Sequence, residues 1–563
     1  MAGSRYSCFG FGDLQEAHIS KSDAALRPWT IASTSLISIL AYLTAFSWIL
    51  LQGCRLTHGR QFYMLDDTYI HAAIARHIVQ DHTFGISPHI FSSASSSILW
   101  PLLLALCFKL FGIHIIFPLL LNAFFSVCIL CGAAYFLWKL YPAIPRSFLL
   151  GLQLALLIIT PLLTMTFVGM EHTLHIFLSL WFIFLAAVVI SEFTAEAACC
   201  SPRSRSYINL LYVSAFLLVA TRYEGAFTVI PAVFLLLLLK RIRESIFLSL
   251  SGMAPAVIFG VYSVLNGSHF LPNSLLLKTD AAKIPLLFHL QIFDMLRFRY
   301  TWIYAPSCLW ILAIVLLFLS YRNAEFFSKK NVALFLFVVT FAFHLQFARL
   351  GWSWRYEAYL VAIAIFAFSI CIADMYTTRK SLRAKTYVGF FILTGCCLIP
   401  FLRRIQMATL GILPSIRAIY VQQYQMAQFV KEYYPGAALV ANDVGAISFY
   451  SNHDVIDIWG LGSIAVTNQR LAGRFTPASL NVLAHTAHAP LALVYRDWLF
   501  YFTGGDPGWI PVATWTLALR HPAPLGGDEV TFYAINPEDV AFLKQSLERY
   551  DSPLPKEEKY TLR

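Results

Sequence analysis

Two adjacent aspartates, Asp66 and Asp67, stand in "MLDDTYIHAAIARHIVQDHTFG" directly before a run in which Ile70, Ala73, Ile74 and Ile78 recur at helical spacing. One carboxylate at that place can cap a helix by accepting a backbone N–H. A cap needs only one, and a pair admits chemistry: one carboxylate as general base toward a hydroxyl, the other orienting it or helping to hold a cation. Glu171, in "FVGMEHTLH", follows an apolar run, where an acidic residue faces either a polar cavity or the solvated interface. Arg222 and Glu224 interrupt another apolar run at "TRYEG" and either line a pocket or close the break as an ion pair. Asn273 and Lys278 in "NGSHFLPNSLLLK", with Arg349, Arg355 and Glu357 in "RLGWSWRYEAY", add further polar and basic groups. Arginine grips phosphate with a planar fork, so several such residues beside the aspartates suit a phosphorylated substrate; snorkelling interfacial anchors are the plainer alternative.

His172 and His175 share a helical face, but without a second pair they make no metal site. Should a divalent cation such as Mg or Mn bind, Asp66, Asp67 and Glu171 are the acidic residues for it. No Walker loop and no G-x-G-x-x-G before a helix is present, so no nucleotide cofactor is expected.

The elements that must position these residues are membrane helices. Of the 563 residues 58% are hydrophobic and 13% charged, which excludes an ordinary soluble domain and points to a polytopic α-helical membrane protein. The net charge of +11 does not signal nucleic acid, because Lys and Arg fall in short loops between apolar runs, where they set orientation. Runs of about 20 apolar residues cover 30–52, 113–138, 147–166, 172–190, 246–265, 302–320, 331–347, 357–376 and 386–402. The run 207–239 would make a helix about 50 Å long and is better read as two short helices meeting at Arg222, Tyr223 and Glu224. With a cytoplasmic N-terminus, about 11 spans then place Lys139 and Arg146, "KRIR", Lys329 and Lys330, and "TRKSLRAK" all inside, and the C-terminus outside.

The expected domains are a cytoplasmic segment 1–29, a transmembrane module 30–402 with a long first external loop 53–112, and a soluble domain 403–563. Within the loop, 96–112 is apolar but short and contains Pro101 and Lys109, which suits a helix lying in the interface. The polar segment 1–29 is followed by an apolar run without a small-residue cleavage site, so a retained first span is expected. In 403–563, "AALVAND", "DVIDIWG", "LALVYRDW" and "EVTFYAI" read as buried strands and "YVQQYQMAQFVKEYY" and "PEDVAFLKQSLERY" as helices, giving an extracytoplasmic α/β domain. None of the eleven cysteines lies beyond Cys397, so this domain has no disulfide framework, and the redox compartment stays open.

Taken in order, "LDDTYIHAAIARHIVQDHTFGISPHIFSSASSSILWPLLLAL", "GMEHTLHIFL", "TRYEGAF", "LPNSLLLK" and "NDVGAISFYSNHDVIDIWGLG" resemble membrane glycosyltransferases of the GT-C superfold, of the arabinofuranosyltransferase-like and mannosyltransferase-like kind. The resemblance implies transfer of a sugar from a polyprenyl-phosphate donor to an acceptor outside the cytoplasm, in the lipid bilayer of a bacterial plasma (inner) membrane serving the cell envelope. It implies that Asp66 occupies the first, usually catalytic, acidic position and Asp67 the second. Glu171 would stand near the donor phosphate, and Arg222 and Glu224 match an "RPEG" motif in which Tyr223 replaces proline here. Donor-phosphate or substrate contacts would come from Glu171, Arg222, Glu224, Asn273, Lys278, Arg349 and Arg355.

A membrane transporter or lipid flippase is the principal rival, but it predicts ionisable groups near the midplane and often an internal repeat. Here the candidates cluster on one side of the spans and no second Asp-Asp segment exists. A receptor with an outer ligand-binding domain leaves Asp66 and Asp67 without a role.

Overall fold

The computed structural model of the protein describes residues 21–194, 202–278, 305–321, 326–378, 395, 399–518, 525–550, 555 and 558–562. Helix α1 (Lys21–Leu56) leads into a long connection carrying two shorter helices, α2 (Asp67–Gln80) and α3 (Leu99–Phe111). The bundle continues with α4 (Phe117–Leu140), α5 (Arg146–Ile159), α6 (Leu162–Val168), α7 (His172–Glu192), α8 (Pro202–Thr221), α9 (Ala226–Leu238) and α10 (Ile242–Leu265). After the short α11 (Asn273–Lys278) come α12 (Ala305–Tyr321), α13 (Lys329–Phe347), α14 (Ala358–Thr377) and α15 over 399–410.

Two kinds of helix surface build this bundle. Nearly every side chain of α7 is buried, and α7 packs against α4, α8, α13 and α14 as the central post. By contrast α10 turns Leu250, Met253, Ile258 and Leu265 outward, and α1 does the same with Leu36, Trp48 and Leu51. Long apolar faces with no chain covering them belong to helices whose solvent is lipid. Hydroxyls inside the bundle bond back to their own helices, as Ser179 does to the His175 carbonyl at 2.7 Å.

Among the described residues six helices are long and apolar enough to cross a membrane, or seven counting α5 and α6 as one bent span. The run 147–166, expected as a span, forms the pair α5 and α6, bent by 46° where Pro161 lacks the N–H that would continue the helix. The run 207–239 divides as read from the sequence: α8 ends at Thr221, one 3-10 turn covers Tyr223–Gly225, and α9 follows. Helix α3, with 13 residues, is too short to cross upright. The expected span 386–402 falls largely outside the described residues.

After α16 (Ile412–Ile419), a π-helical turn (Tyr420–Tyr424) and α17 (Gln425–Tyr433), the chain enters a mixed sheet. Its elements are β1 (Leu439–Ala441), α18 (Gly445–Ser451), β2 (Val455–Asp457), α19 (Ile464–Leu471), α20 (Pro477–Thr486), β3 (Leu491–Val494), α21 (Arg496–Thr503), β4 (Ile510–Leu517), β5 (Glu529–Ala534), α22 (Asp539–Tyr550) and β6 (Glu558–Leu562). The strand order is β2-β1-β3-β5-β4-β6, parallel where β1 lies between β2 and β3 and antiparallel beyond. Strands β1 and β3 are buried on both faces, which explains their unbroken apolar runs. Strands β4 and β6, not anticipated from the sequence, complete the antiparallel half. Trp515 of β4 packs against Phe532 and stacks on Tyr550, with centroids 4.5 and 5.9 Å away.

This domain is clamped to the long first connection. Arg76 donates to the Phe449 carbonyl at 2.6 Å, His77 meets Asn452 at 3.0 Å, and the Val455 amide donates to Ser87 at 3.1 Å. Gly462 lies so close to Ile86 that a Cβ there would overlap its Cδ1. At the other end of the bundle Lys330 pairs with Asp374 at 2.7 Å and Arg241 covers the ring of Phe193.

Candidate active site

Asp66 sits at the entry to α2, yet its side chain makes no cap bond to that helix. Both carboxylate oxygens turn instead to the α/β domain: Oδ2 accepts from the Gly445 amide at 2.6 Å and Oδ1 from the Ala446 amide at 2.8 Å. The approach needs glycine at 445, since a Cβ would overlap the Asp66 carbonyl oxygen. Burial pushes the Asp66 carboxyl well above the usual carboxylate range, and the nearby charges of Asp443 and Asp67 push the same way against the two amides. Asp443 is also raised by burial, while Tyr495 Oη–H and Gln423 Nε2, the latter at 3.0 Å, donate to its Oδ2.

Asp67 turns the other way and accepts from Arg355 Nη2. The Arg355 guanidinium is buried, donates from Nη1 to the Met170 sulfur at 2.7 Å, and keeps a buried Nε without a partner among the described residues. It is presented by an unusual loop. Trp352, Ser353 and Trp354, after Gly351, have φ of 44°, 59° and 64°, a left-handed run that costs each non-glycine residue about 1–2 kcal/mol. Three hydrogen bonds hold it: the Gly351 amide donates to Glu357 Oε2 at 2.9 Å, and Arg404 donates to both the Trp354 carbonyl, at 3.1 Å, and Glu357 Oε1, at 3.0 Å.

Glu171, immediately before α7, is fully buried. Its Oε1 accepts from Arg222 Nη1 at 2.6 Å, and Arg222 Nη2 reaches Glu224 at 2.6 Å, so one guanidinium bridges two carboxylates at the α8–α9 break. The Glu171 Oε2 lies 3.5 Å from His71 Nε2, and His71 Nδ1 lies 3.0 Å from Ser95 Oγ. Burial lowers the His71 proton affinity. The connections carrying Asp66, Asp67, Glu171, Arg222, Glu224 and Arg355 therefore meet at one end of the bundle, under the α/β domain.

The remaining candidates behave differently. Asn273 is buried where the two parts of the chain meet; its amide N–H donates to Ser93 Oγ at 3.1 Å and its Nδ2 to the Leu461 carbonyl at 3.2 Å. Arg349 is exposed, and its backbone carbonyl lies 3.0 Å from His344 Nε2. The side chain of Lys278 lies outside what the structure describes. Among the described residues no three His, Cys, Asp or Glu are gathered to hold a metal ion. Asp66, Asp67 and Glu171, the acidic residues open to a cation should one bind, are each engaged by separate nitrogen donors. Sequence reasoning did not select Asp443, His71, Arg404 or the buried serines of "FSSASSS", although Asp443 lies inside the quoted tail motif.

Residues 415–533 match a family described as a domain of unknown function, DUF8728. No curated protein sequence matches the chain. Among solved structures the chain is similar to ArnT from Cupriavidus metallidurans bound to undecaprenyl phosphate, at 12% identity and a TM-score of 0.49, over 89% of this chain and 99% of that one. It is also similar to the apo oligosaccharyltransferase of Archaeoglobus fulgidus, at 11% identity and a TM-score of 0.49, over 88% and 75%. A third is AglB of the same organism in complex with an inhibitory peptide and a dolichol-phosphate, at 10% identity and a TM-score of 0.46, over 88% and 74%. At such identities the relatives' site residues do not transfer to this chain.

Proposed function

We propose that the protein is an integral membrane glycosyltransferase of GT-C type that moves a sugar from a polyprenyl-phosphate donor to a glycan, lipid or protein acceptor outside the cytoplasm. The observation that carries the reading is the meeting of Asp66 and Asp67, both half-buried, with the Arg355 and Arg222 ion pairs at the end of a lipid-exposed helical bundle. About 11 crossings, an inside N-terminus and an outside α/β domain over 403–563 belong to the same proposal.

In the reaction the acceptor hydroxyl oxygen forms a bond to the anomeric carbon while the bond from that carbon to the phosphate oxygen breaks. The hydroxyl proton passes to Asp66, and the electron pair leaves with the polyprenyl phosphate. A carboxylate has about four acceptor positions, so the two amides on Asp66 leave it room to take a proton. The Nε–H of Arg355, which has no partner among the described residues, supplies a donor for a phosphate oxygen, and such charge stabilisation is strong beside a low-dielectric membrane. Direct displacement implies inversion at the anomeric carbon.

The test incubates purified protein with radiolabelled polyprenyl-phosphate sugars and an envelope extract, comparing wild type with Asp66→Asn and Asp67→Asn. Sugar transfer lost in Asp66→Asn supports the base, whereas transfer that survives both substitutions sinks it. No transfer from any donor, together with lipid or solute movement in vesicles, would replace the enzyme with a transporter.

A further inference from the structure

We propose that the α/β domain is part of the reaction centre: segment 442–446 positions the Asp66 carboxylate, and Asp443 is the positioning residue whose charge acts on it. The inference deepens the transferase reading and rests on it for its kinetic arm alone. It also gives a role to the region that matches a domain of unknown function, because 442–446, Gln423 and Tyr495 all lie within 415–533.

The geometry is that of a holder. The consecutive amides of Gly445 and Ala446 fix both oxygens of Asp66, so the carboxylate cannot rotate without losing a charge-assisted hydrogen bond. The chain leading to them is pinned in turn: Asn442 Oδ1 accepts from the Tyr495 amide at 2.7 Å, and Asp443 is held by the Tyr495 hydroxyl and Gln423. The groups facing Asp66 are Asp67 and Tyr69 from α2, and Asp443 and Tyr495 from the α/β domain. Arg355 engages Asp67 and so offsets that charge, whereas the hydrogen bonds to Asp443 come from neutral donors. Asp443 is thus the carboxylate whose charge bears on Asp66 with least compensation, and like charges at close range favour retention of a proton. A base that must take a proton from a hydroxyl gains from that arrangement.

Docking of the domain does not depend on Asp66. The Arg76 to Phe449, His77 to Asn452 and Val455 to Ser87 hydrogen bonds hold α18 and β2 against the first connection independently. Substitutions at Asp66 or Asp443 therefore probe the holder rather than the assembly.

The experiment uses the full chain in lipid nanodiscs, as wild type, Asp66→Asn, Asp443→Asn and Asp443→Glu. The infrared band of protonated carboxylic acid is titrated with pH, and amide exchange is followed at 445–446 and at 439–441. In wild type Asp66 titrates above the ordinary range alongside Asp443 and Asp457, and its own band is the one that the wild-type minus Asp66→Asn difference spectrum isolates. That band disappears in Asp66→Asn, moves about one pH unit toward acid in Asp443→Asn, and stays in place in Asp443→Glu. Exchange at 445–446 quickens tenfold or more in Asp66→Asn, while 439–441 stays protected. A band unmoved by Asp443→Asn, or protection at 445–446 unchanged in Asp66→Asn, overturns the proposal. If Asp443→Asn fails to fold by circular dichroism, the Asp443→Glu titration and the Asp66→Asn exchange decide it. In the transfer assay the acid limb of kcat moves toward acid in Asp443→Asn while the acceptor KM holds. A wild type that transfers nothing defeats the transferase reading but leaves the infrared and exchange results to judge the holder.

Discussion

Asp67 and Arg355, 288 residues apart in the chain, form an ion pair in which the guanidinium is 2% exposed and the carboxylate 27%. Removing the carboxylate strands a buried charge, which costs about 3–5 kcal/mol when a buried pair is broken and less where one partner is half-open. Asp67→Asn should lower the midpoint of thermal unfolding in detergent and reduce transfer. Arg355→Lys should likewise lower both, because an ammonium cannot serve Asp67 and the Met170 sulfur from separate nitrogens. Differential scanning fluorimetry beside the radiolabel assay checks both, and wild-type behaviour of Arg355→Lys would refute the fork.

Arg222 bridges two carboxylates, so the two halves of its pairing can be separated. Glu224→Gln should be tolerated better than Glu171→Gln, because Glu171 is fully buried while Glu224 is 19% exposed. Arg222→Ala, leaving Glu171 buried without its cation, should be the most damaging of the three, by about 3–5 kcal/mol. Urea or thermal unfolding of the three variants ranks them, and equal losses would contradict the geometry.

Asp457 provides a pH signature away from the reaction centre. Its carboxylate accepts from the amides of Trp459 and Gly462 at 2.8 and 2.9 Å, but burial still lifts its pKa from 3.8 to about 6. The folded chain binds this proton more tightly than the unfolded one. The resulting stability is therefore fully present below pH 3.8 and is lost as the pH rises toward about 6, an amount of about 3 kcal/mol. Asp457→Asn should abolish that segment of the stability profile. Thermal unfolding at intervals across the window, wild type against variant, reads it directly.

Gly462→Ala should separate the α/β domain from the first connection, since the new methyl would occupy the position of Ile86 Cδ1. Overpacking of this kind costs about 1–3 kcal/mol. Limited proteolysis should show new cleavage near 84–92 and 455–463, and Ile86→Ala in the same chain should suppress it. Unchanged proteolysis in Gly462→Ala would mean that the contact carries no weight.

The parts of the site that were legible in the sequence are those marked by charge in an apolar context. Asp66 and Asp67 before an amphipathic helix, Glu171 after an apolar run and the Arg222–Glu224 interruption all stand out because burying them demands partners. That they lie toward one end of the spans was expected from the alternation of basic loops, and they do meet at one end of the bundle. What the sequence did not reveal was who partners whom. Asp66 meets Gly445 across 379 residues and Arg404 meets Glu357 across 47, and no local period encodes either pairing. Asp443 was hidden for the same reason: in "AALVAND" it reads as the polar end of a strand, and only docking of α18 on α2 brings it to Asp66. Strand β4 was missed because it opens on Ile510 and Pro511, where proline argues against a central strand; the register shifts at Pro511 to accommodate it.

The left-handed segment 352–354 has one more consequence. A stretch wound against the natural hand of the polypeptide acts as a coiled spring, and the spring is kept shut by the Glu357 and Arg404 contacts. Glycine in place of Ser353 relaxes the coil and Glu357→Gln lifts the catch. The Arg355 guanidinium is thus carried on a loop whose backbone favours glycine and whose hold is anchored on another helix through Arg404.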